Sequence, residues 1–210
     1  MTDHDVLIEK LSRSITPVKR PFQPAWRVIS WLALALPSGL AASLIINRTL
    51  TDWSQTGAAW TIVQLLLTFV TGTLAIRNAF LLCIAGQTPL GWKWFLPLVV
   101  LWGACTVASV HSHHAPQPDG VEGVNCYLFM LGVSTPMALI VLGYLRRTRS
   151  LFPAQSLAAA GAGVACMALT LLALCHPTHI SMEDLLMHFA ATVTIIGGTI
   201  ALGYHWVAIR

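Results

Sequence analysis

Thiols and imidazoles bind soft and borderline metal ions, and they oxidise or titrate under mild conditions. This chain gathers them in a few places. His111-Ser112-His113-His114 sets three imidazoles within four residues, and Cys175-His176-Pro177-Thr178-His179 sets a thiol beside two imidazoles at ligand-like spacing. His188 follows inside an apolar run, where an ionisable side chain is a functional candidate by default. Asp119, Glu122, Glu183 and Asp184 make the same neighbourhood acidic. None of these spacings is a closed four-ligand zinc motif. Metal ligation, titration near neutral pH and plain solvated loop histidines all remain open for them. Cys126 opens another apolar run, and a helix start favours thiolate character. Cys83, Cys105 and Cys166 fall within or beside apolar runs, where a cysteine acts as a small apolar residue.

The elements that must position these groups are six apolar stretches, 25–46, 59–76, 95–110, 124–145, 154–175 and 185–207. A helix rises about 1.5 Å per residue, so about 20 apolar residues cross the hydrocarbon layer of a bilayer. The chain has 56% hydrophobic and 10% charged residues, and its mean hydropathy is +0.70. The expected fold is therefore all-α, a six-span transmembrane bundle (25–210) preceded by a cytoplasmic segment (1–24). The third stretch is short, and Asn78–Trp94 between it and the second could extend the second helix or lie along the interface. Pro37, Pro97 and Pro136 fall inside spans, where neighbouring helices compensate for them. The first span is expected to be retained rather than cleaved, because its basic leader and its length both exceed those of a signal peptide.

Alternating the connections between two faces sorts the cations. Lys10, Arg13, Lys19, Arg20, Arg27, Arg77, Lys93, Arg146, Arg147, Arg149 and Arg210 fall on the face of both termini, and only Arg48 on the other. Basic connections stay cytoplasmic, which predicts both termini inside. The net charge of +4 is explained by anionic lipid and calls for no direct nucleic-acid partner. The opposite face holds Cys126 and Cys175 at the ends of the fourth and fifth spans, 24 residues before and 25 after Ser150. Antiparallel helices then put the two thiols at one height. A disulfide would form only if they face each other, since packed axes lie about 8–10 Å apart.

Residues 3–18 carry a separate signal. Ile8, Leu11, Ile15 and Val18 recur at helical steps with Leu7 beside them, and Pro17 ends the pattern. So short a helix must bury its stripe against lipid or a partner protein, and its acidic start (Asp3, Asp5, Glu9) favours the protein.

The leader Asp5-Val6-Leu7-Ile8-Glu9-Lys10-Leu11 with Thr16-Pro17-Val18-Lys19-Arg20, the six spans, Cys126 at the outer start of the fourth and Cys175-His176-Pro177 closing the fifth resemble the NrsF family of membrane anti-sigma factors. Met187 stands where members often carry an aromatic before the last histidine, and the histidine run at 111–114 is not a family feature. The resemblance implies a regulator in the bacterial inner membrane rather than an enzyme. Leu7, Ile8, Leu11, Ile15 and Val18 would hold an extracytoplasmic-function sigma factor. Cys126 and Cys175, with His176, His179 and His188, would sense periplasmic metal or oxidant. No cofactor is required, and a transition or heavy metal ion is the ligand such residues could take, with His111, His113 and His114 as weaker additions. A thiol oxidoreductase linked to quinone is the leading enzyme alternative, though no Cys-x-x-Cys is present. A metal transporter is the other, though few mid-span polar residues are available to it.

Overall fold

Inside a bilayer an apolar run can satisfy its backbone hydrogen bonds only as a helix or a closed barrel, and these runs are helices. The computed structural model describes residues 3–14, 23–46, 51, 53–54, 58–111, 122–148, 150, 152–175 and 182–208. Seven helices are present among them: α1 (Asp3–Ser14), α2 (Pro24–Ile45), α3 (Ala58–Leu81), α4 (Trp92–His111), α5 (Glu122–Thr148), α6 (Pro153–Leu172) and α7 (Met182–Val207). The fold is all-α; one isolated bridge, Ser150 to Ala208, is the only strand-like pairing among the described residues. Five helices, α2, α3, α5, α6 and α7, are long and apolar enough to span a membrane. The apolar stretch Trp92–Ala108 of α4 is shorter.

Several boundaries differ from the expected ones for local reasons. Pro24 and Pro153 start α2 and α6 at positions where a missing N–H costs nothing. Pro37, Pro97 and Pro136 sit within α2, α4 and α5, which continue through them as expected. α3 passes the expected end at residue 76 and runs to Leu81, because Arg77 points outward while Ile76, Ala79 and Phe80 stay buried. Asn78 then ties down the connection to α4: its Oδ1 accepts from the Leu90 N–H at 2.7 Å, and its Nδ2 donates to the Leu90 carbonyl at 3.3 Å. α6 stops at Leu172; the N–H of its cap residue Ala173 still reaches the Leu169 carbonyl, and those of Leu174 and Cys175 turn back to Leu171 and Leu172 in a tightened last turn. α1 was expected over 3–18; its helix is described to Ser14, and Ile15 and Val18 lie outside the described residues.

α6 is the axis of the bundle. It packs against α3 and α7 most extensively, and against α5; α2 rests on α5, while α4 leans mainly on α3. The reason is size. Ser156, Ala160, Gly161, Gly163, Ala165 and Ala168 are all buried on α6, and small side chains let helix backbones approach where lipid offers no hydrophobic drive. A Cβ on Gly163 would stand 2.6 Å from Ile76 Cγ1 and 3.1 Å from the Gly72 carbonyl oxygen. On Gly161 it would meet the Ile196 Cα at 2.8 Å. Thr68 and Thr170 exploit the approach, their hydroxyls meeting across α3 and α6 at 3.1 Å.

Gly163→Val should therefore separate α3 from α6 and destabilise the bundle by about 1–3 kcal/mol, the usual cost of overpacking. Gly197→Ala, where nothing lies within 4 Å, should leave stability within about 0.5 kcal/mol. Thermal unfolding of both variants in one detergent checks the pair; equal midpoints would remove the close-approach explanation.

Candidate functional site

The helices bring polar chemistry to two opposite ends. The cysteine end is formed where α2 and α6 finish and α5 and α7 begin. Cys126, only 8% exposed, belongs to the central apolar cluster, and Cys175 packs against the same cluster from the turn after α6. All five cysteines are thiols in the structure. The α2–α3 connection closes over this end of α6: Thr51 donates its N–H to the Leu174 carbonyl at 3.3 Å and its hydroxyl to the Ala173 carbonyl at 3.0 Å. Ala173 caps the helix and Leu174 follows it, so both carbonyls lie where no intrahelical donor reaches.

On α7 the buried positions run Asp184, His188, Ala191, Ile195, Thr199, Gly203 and Val207, one continuous packing face with two ionisable groups at its top. Asp184 is 2% exposed and His188 7%. Their separation of four residues puts them one above the other, about 5–6 Å apart at Cβ. His188 was expected as a candidate; Asp184 was read only as part of an acidic face. Its place four residues before His188 on a periodic stripe was the available signal.

Of the thiols and imidazoles singled out in the sequence, the described residues include Cys126, Cys175 and His188. Among the described residues no group of three or more His, Cys, Asp or Glu side chains is placed to hold an ion. His113, His114, His176 and His179 lie outside the described residues, and His111 ends α4 with its side chain outside them.

The arginine end was not legible as a site. Arg27 was read as one of the basic residues on the face of the termini, yet it is 6% exposed and locked inside the bundle. Its Nη2 donates to Thr148 Oγ1 at 3.0 Å and to the Tyr144 carbonyl at 3.5 Å, and its guanidinium lies 4.4 Å from the centre of the Phe80 ring. Tyr144 donates its hydroxyl to Ser30 Oγ at 2.9 Å, binding α5 to α2 a second time. Ser150 joins three more chain segments: its Oγ donates to the Leu82 carbonyl and accepts from the Phe152 N–H, and its own N–H donates to the Val207 carbonyl. The Nη1 of Arg27 and the indole N–H of Trp31, one turn apart on α2, are buried without an acceptor. A buried donor without a partner costs about 1–3 kcal/mol, so this end is polar, enclosed and incompletely satisfied.

Cys83 sits at its edge and donates to the Ala79 carbonyl at 3.4 Å. Burial pushes its thiol pKa up; the hydroxyl of Ser150, the Arg27 guanidinium and the hydroxyls of Thr148 and Ser156 pull against that.

No family model, curated protein or solved structure matches the chain. The two ends must therefore be interpreted from their own chemistry.

That chemistry gives a signed expectation for Cys83. The thiolate is the nucleophile, and in the folded protein it forms only above the ordinary thiol range, so alkylation should rise later in pH than in denatured protein. Stability should fall as pH rises from the unfolded thiol's pKa toward the raised folded one, since the folded state then holds the extra proton. Ser150→Ala removes the largest opposing contribution and should shift the alkylation profile to higher pH. Iodoacetamide labelling quantified at the Cys83 peptide reads both; coincident folded and denatured profiles would show that the thiol is not held in a buried site.

Proposed function

We propose that the chain is a bacterial inner-membrane anti-sigma factor of the NrsF type. In this reading residues 1–24 hold an extracytoplasmic-function sigma factor, and the bundle of 25–210 releases it on metal or oxidative stress outside. α4 makes a sixth, short crossing, which returns both termini to the cytoplasm. Eleven of twelve Lys and Arg residues then lie on the cytoplasmic face.

One observation carries the reading. α1 stands with every described side chain from His4 to Arg13 exposed, including Val6, Leu7, Ile8 and Leu11, which are each more than half exposed. A twelve-residue helix is marginal alone, and an uncovered apolar stripe supports docking to a partner's groove. The Glu9–Arg13 ion pair at 2.8 Å lies on the exposed surface and contributes little to its stability.

The sensing half rests on Cys126 and Cys175, which pack into one apolar cluster from α5 and from the end of α6. Oxidation or metal ligation there would favour one packing of these helices over another. A ligand shifts such an equilibrium only through its differential affinity for the two states. Tenfold release takes about 1.4 kcal/mol. Membrane lipids and the sigma factor are the partners, and no catalytic group is assigned.

Two measurements separate the halves. Leu7→Asp combined with Leu11→Asp should weaken capture of the cognate sigma factor by full-length protein at least tenfold, without changing membrane insertion. Undiminished capture would sink the assignment of α1. Cys126→Ser and Cys175→Ser should each abolish induction of the target promoter by cadmium or peroxide while leaving basal repression in place. Normal induction in both variants would remove the thiols from sensing and leave the binding half standing.

A further inference from the structure

The guanidinium of Arg27 is enclosed far from the acidic residues of the chain. Glu122, Glu183 and Asp184 belong to the first turns of α5 and α7, at the opposite end of the bundle. Asp52 and Asp119 lie outside the described residues, in the connections that leave α2 and enter α5. Asp3, Asp5 and Glu9 are on α1, where Asp5 and Glu9 are exposed and Glu9 pairs with Arg13. These are all eight Asp and Glu residues.

The Arg27 Nη2 is engaged by Thr148 and the Tyr144 carbonyl. Its Nη1 and the Trp31 indole N–H are a second pair of donors, buried without an acceptor. Both are sealed, since Arg27 is 6% exposed and Trp31 has no exposed surface. One turn of α2 separates the two residues, which puts their Cβ atoms about 5–6 Å apart on one packing face.

Two such donors constrain what can satisfy them. A guanidinium stays charged, and burying an ion without a counter-charge costs far more than burying a polar group. A water molecule accepts hydrogen bonds but leaves the charge in place. A divalent anion exchanges one uncompensated charge for another. A lipid phosphate or a partner's carboxylate must bring its own chain along, and neither donor is open to the outside. A small anion of single charge meets every condition. Arg146 and Arg147, exposed in the last turn of α5, give the surrounding surface a positive field that concentrates anions.

We propose that the arginine end binds a small monovalent anion of the chloride class, held by the Arg27 Nη1 and the Trp31 indole N–H. The proposal goes beyond the regulatory reading and does not depend on it, because binding is read in the purified chain without any sigma factor.

The experiment uses full-length protein in phosphatidylcholine nanodiscs, dialysed free of halide. Sodium chloride is titrated in at constant ionic strength, with sodium gluconate making up the balance. Bound radiolabelled chloride and the unfolding temperature are both measured, because a ligand of the folded state raises the latter. Saturable chloride binding with a rise in unfolding temperature is expected, and sodium sulfate should give neither. Trp31→Phe keeps an aromatic ring but loses the N–H, and it should weaken chloride binding about tenfold, the order expected for one hydrogen bond to a charged group. Arg27→Gln should abolish binding; Trp31→Phe carries the test if that variant does not fold. No saturable binding by the wild-type protein would overturn the proposal. Equal stabilisation by chloride, sulfate and gluconate would overturn it by reducing the effect to ionic strength. Wild-type affinity in Trp31→Phe would overturn it by placing the anion elsewhere. Displacement of the label by phosphatidylglycerol in the nanodisc would overturn it in favour of a lipid phosphate.

Discussion

Close backbone approach along α6 is the constraint on which the rest of this structure depends. Lipid tails are as apolar as leucine, so helices in a bilayer gain little by merely touching through large side chains. What holds them is dense packing, and here the density comes from missing side-chain atoms. Gly72 and Gly163 bring α3 onto α6 until a single added methyl group would strike backbone, and Gly161 does the same for α7. Once those distances are set, the hydroxyls of Thr68 and Thr170 meet, and Met167 and Leu157 fill the interior with no exposed surface. α6 also begins beside the arginine cluster through Ser156 and ends at the turn bearing Cys175. One helix therefore registers both polar ends against each other.

The two ends are built from opposite kinds of chemistry. The cysteine end closes with neutral hydrogen bonds from Thr51 and with apolar burial of Cys126. The arginine end encloses a guanidinium with no carboxylate among the described residues to neutralise it; hydroxyls, a carbonyl and the face of Phe80 are its partners. Enclosing a charge is expensive unless its hydrogen bonds are complete, and here they are not. Such a junction is held by the surrounding packing rather than by its own polar contacts.

How much of this was legible in the sequence follows from what a bilayer does to patterning. Helix existence was plain, because length and hydropathy decide it. Helix ends shifted by only a few residues, as at α3, where Arg77 points outward and interrupts no packing. The packing faces were much harder to read. In water an inward face is marked by apolar residues, but in lipid both faces are apolar, so the mark is lost. What survives is the spacing of small and polar residues: Arg27 with Trp31, Gly39 and Ser43 on α2, Gln64 with Thr68 and Gly72 on α3, Asp184 with His188 on α7. Each is a buried stripe that was present in the sequence as steps of four residues or twice four.

The thiol pair shows the same limit from the other side. Counting from Ser150 placed Cys126 and Cys175 at one height, and the apolar cluster both pack on runs the length of the bundle, so sharing it does not set their separation. Height alone does not set chemistry. Cys126 is enclosed within a span, whereas Cys175 occupies a turn of three residues whose carbonyls Thr51 already engages. A ligand or oxidant reaching Cys175 must therefore compete with the hydrogen bonds that anchor the α2–α3 connection to α6. Any change there is felt first by α2 and α6, and these are the helices whose opposite ends contribute Arg27 and Ser156 to the arginine cluster. Packed interiors deform between discrete arrangements rather than continuously. A helix of 20 residues, about 30 Å long, transmits a small displacement at one end as a rigid body. Coupling between the ends then needs no pathway of polar residues through the membrane, only an α6 too closely packed to bend.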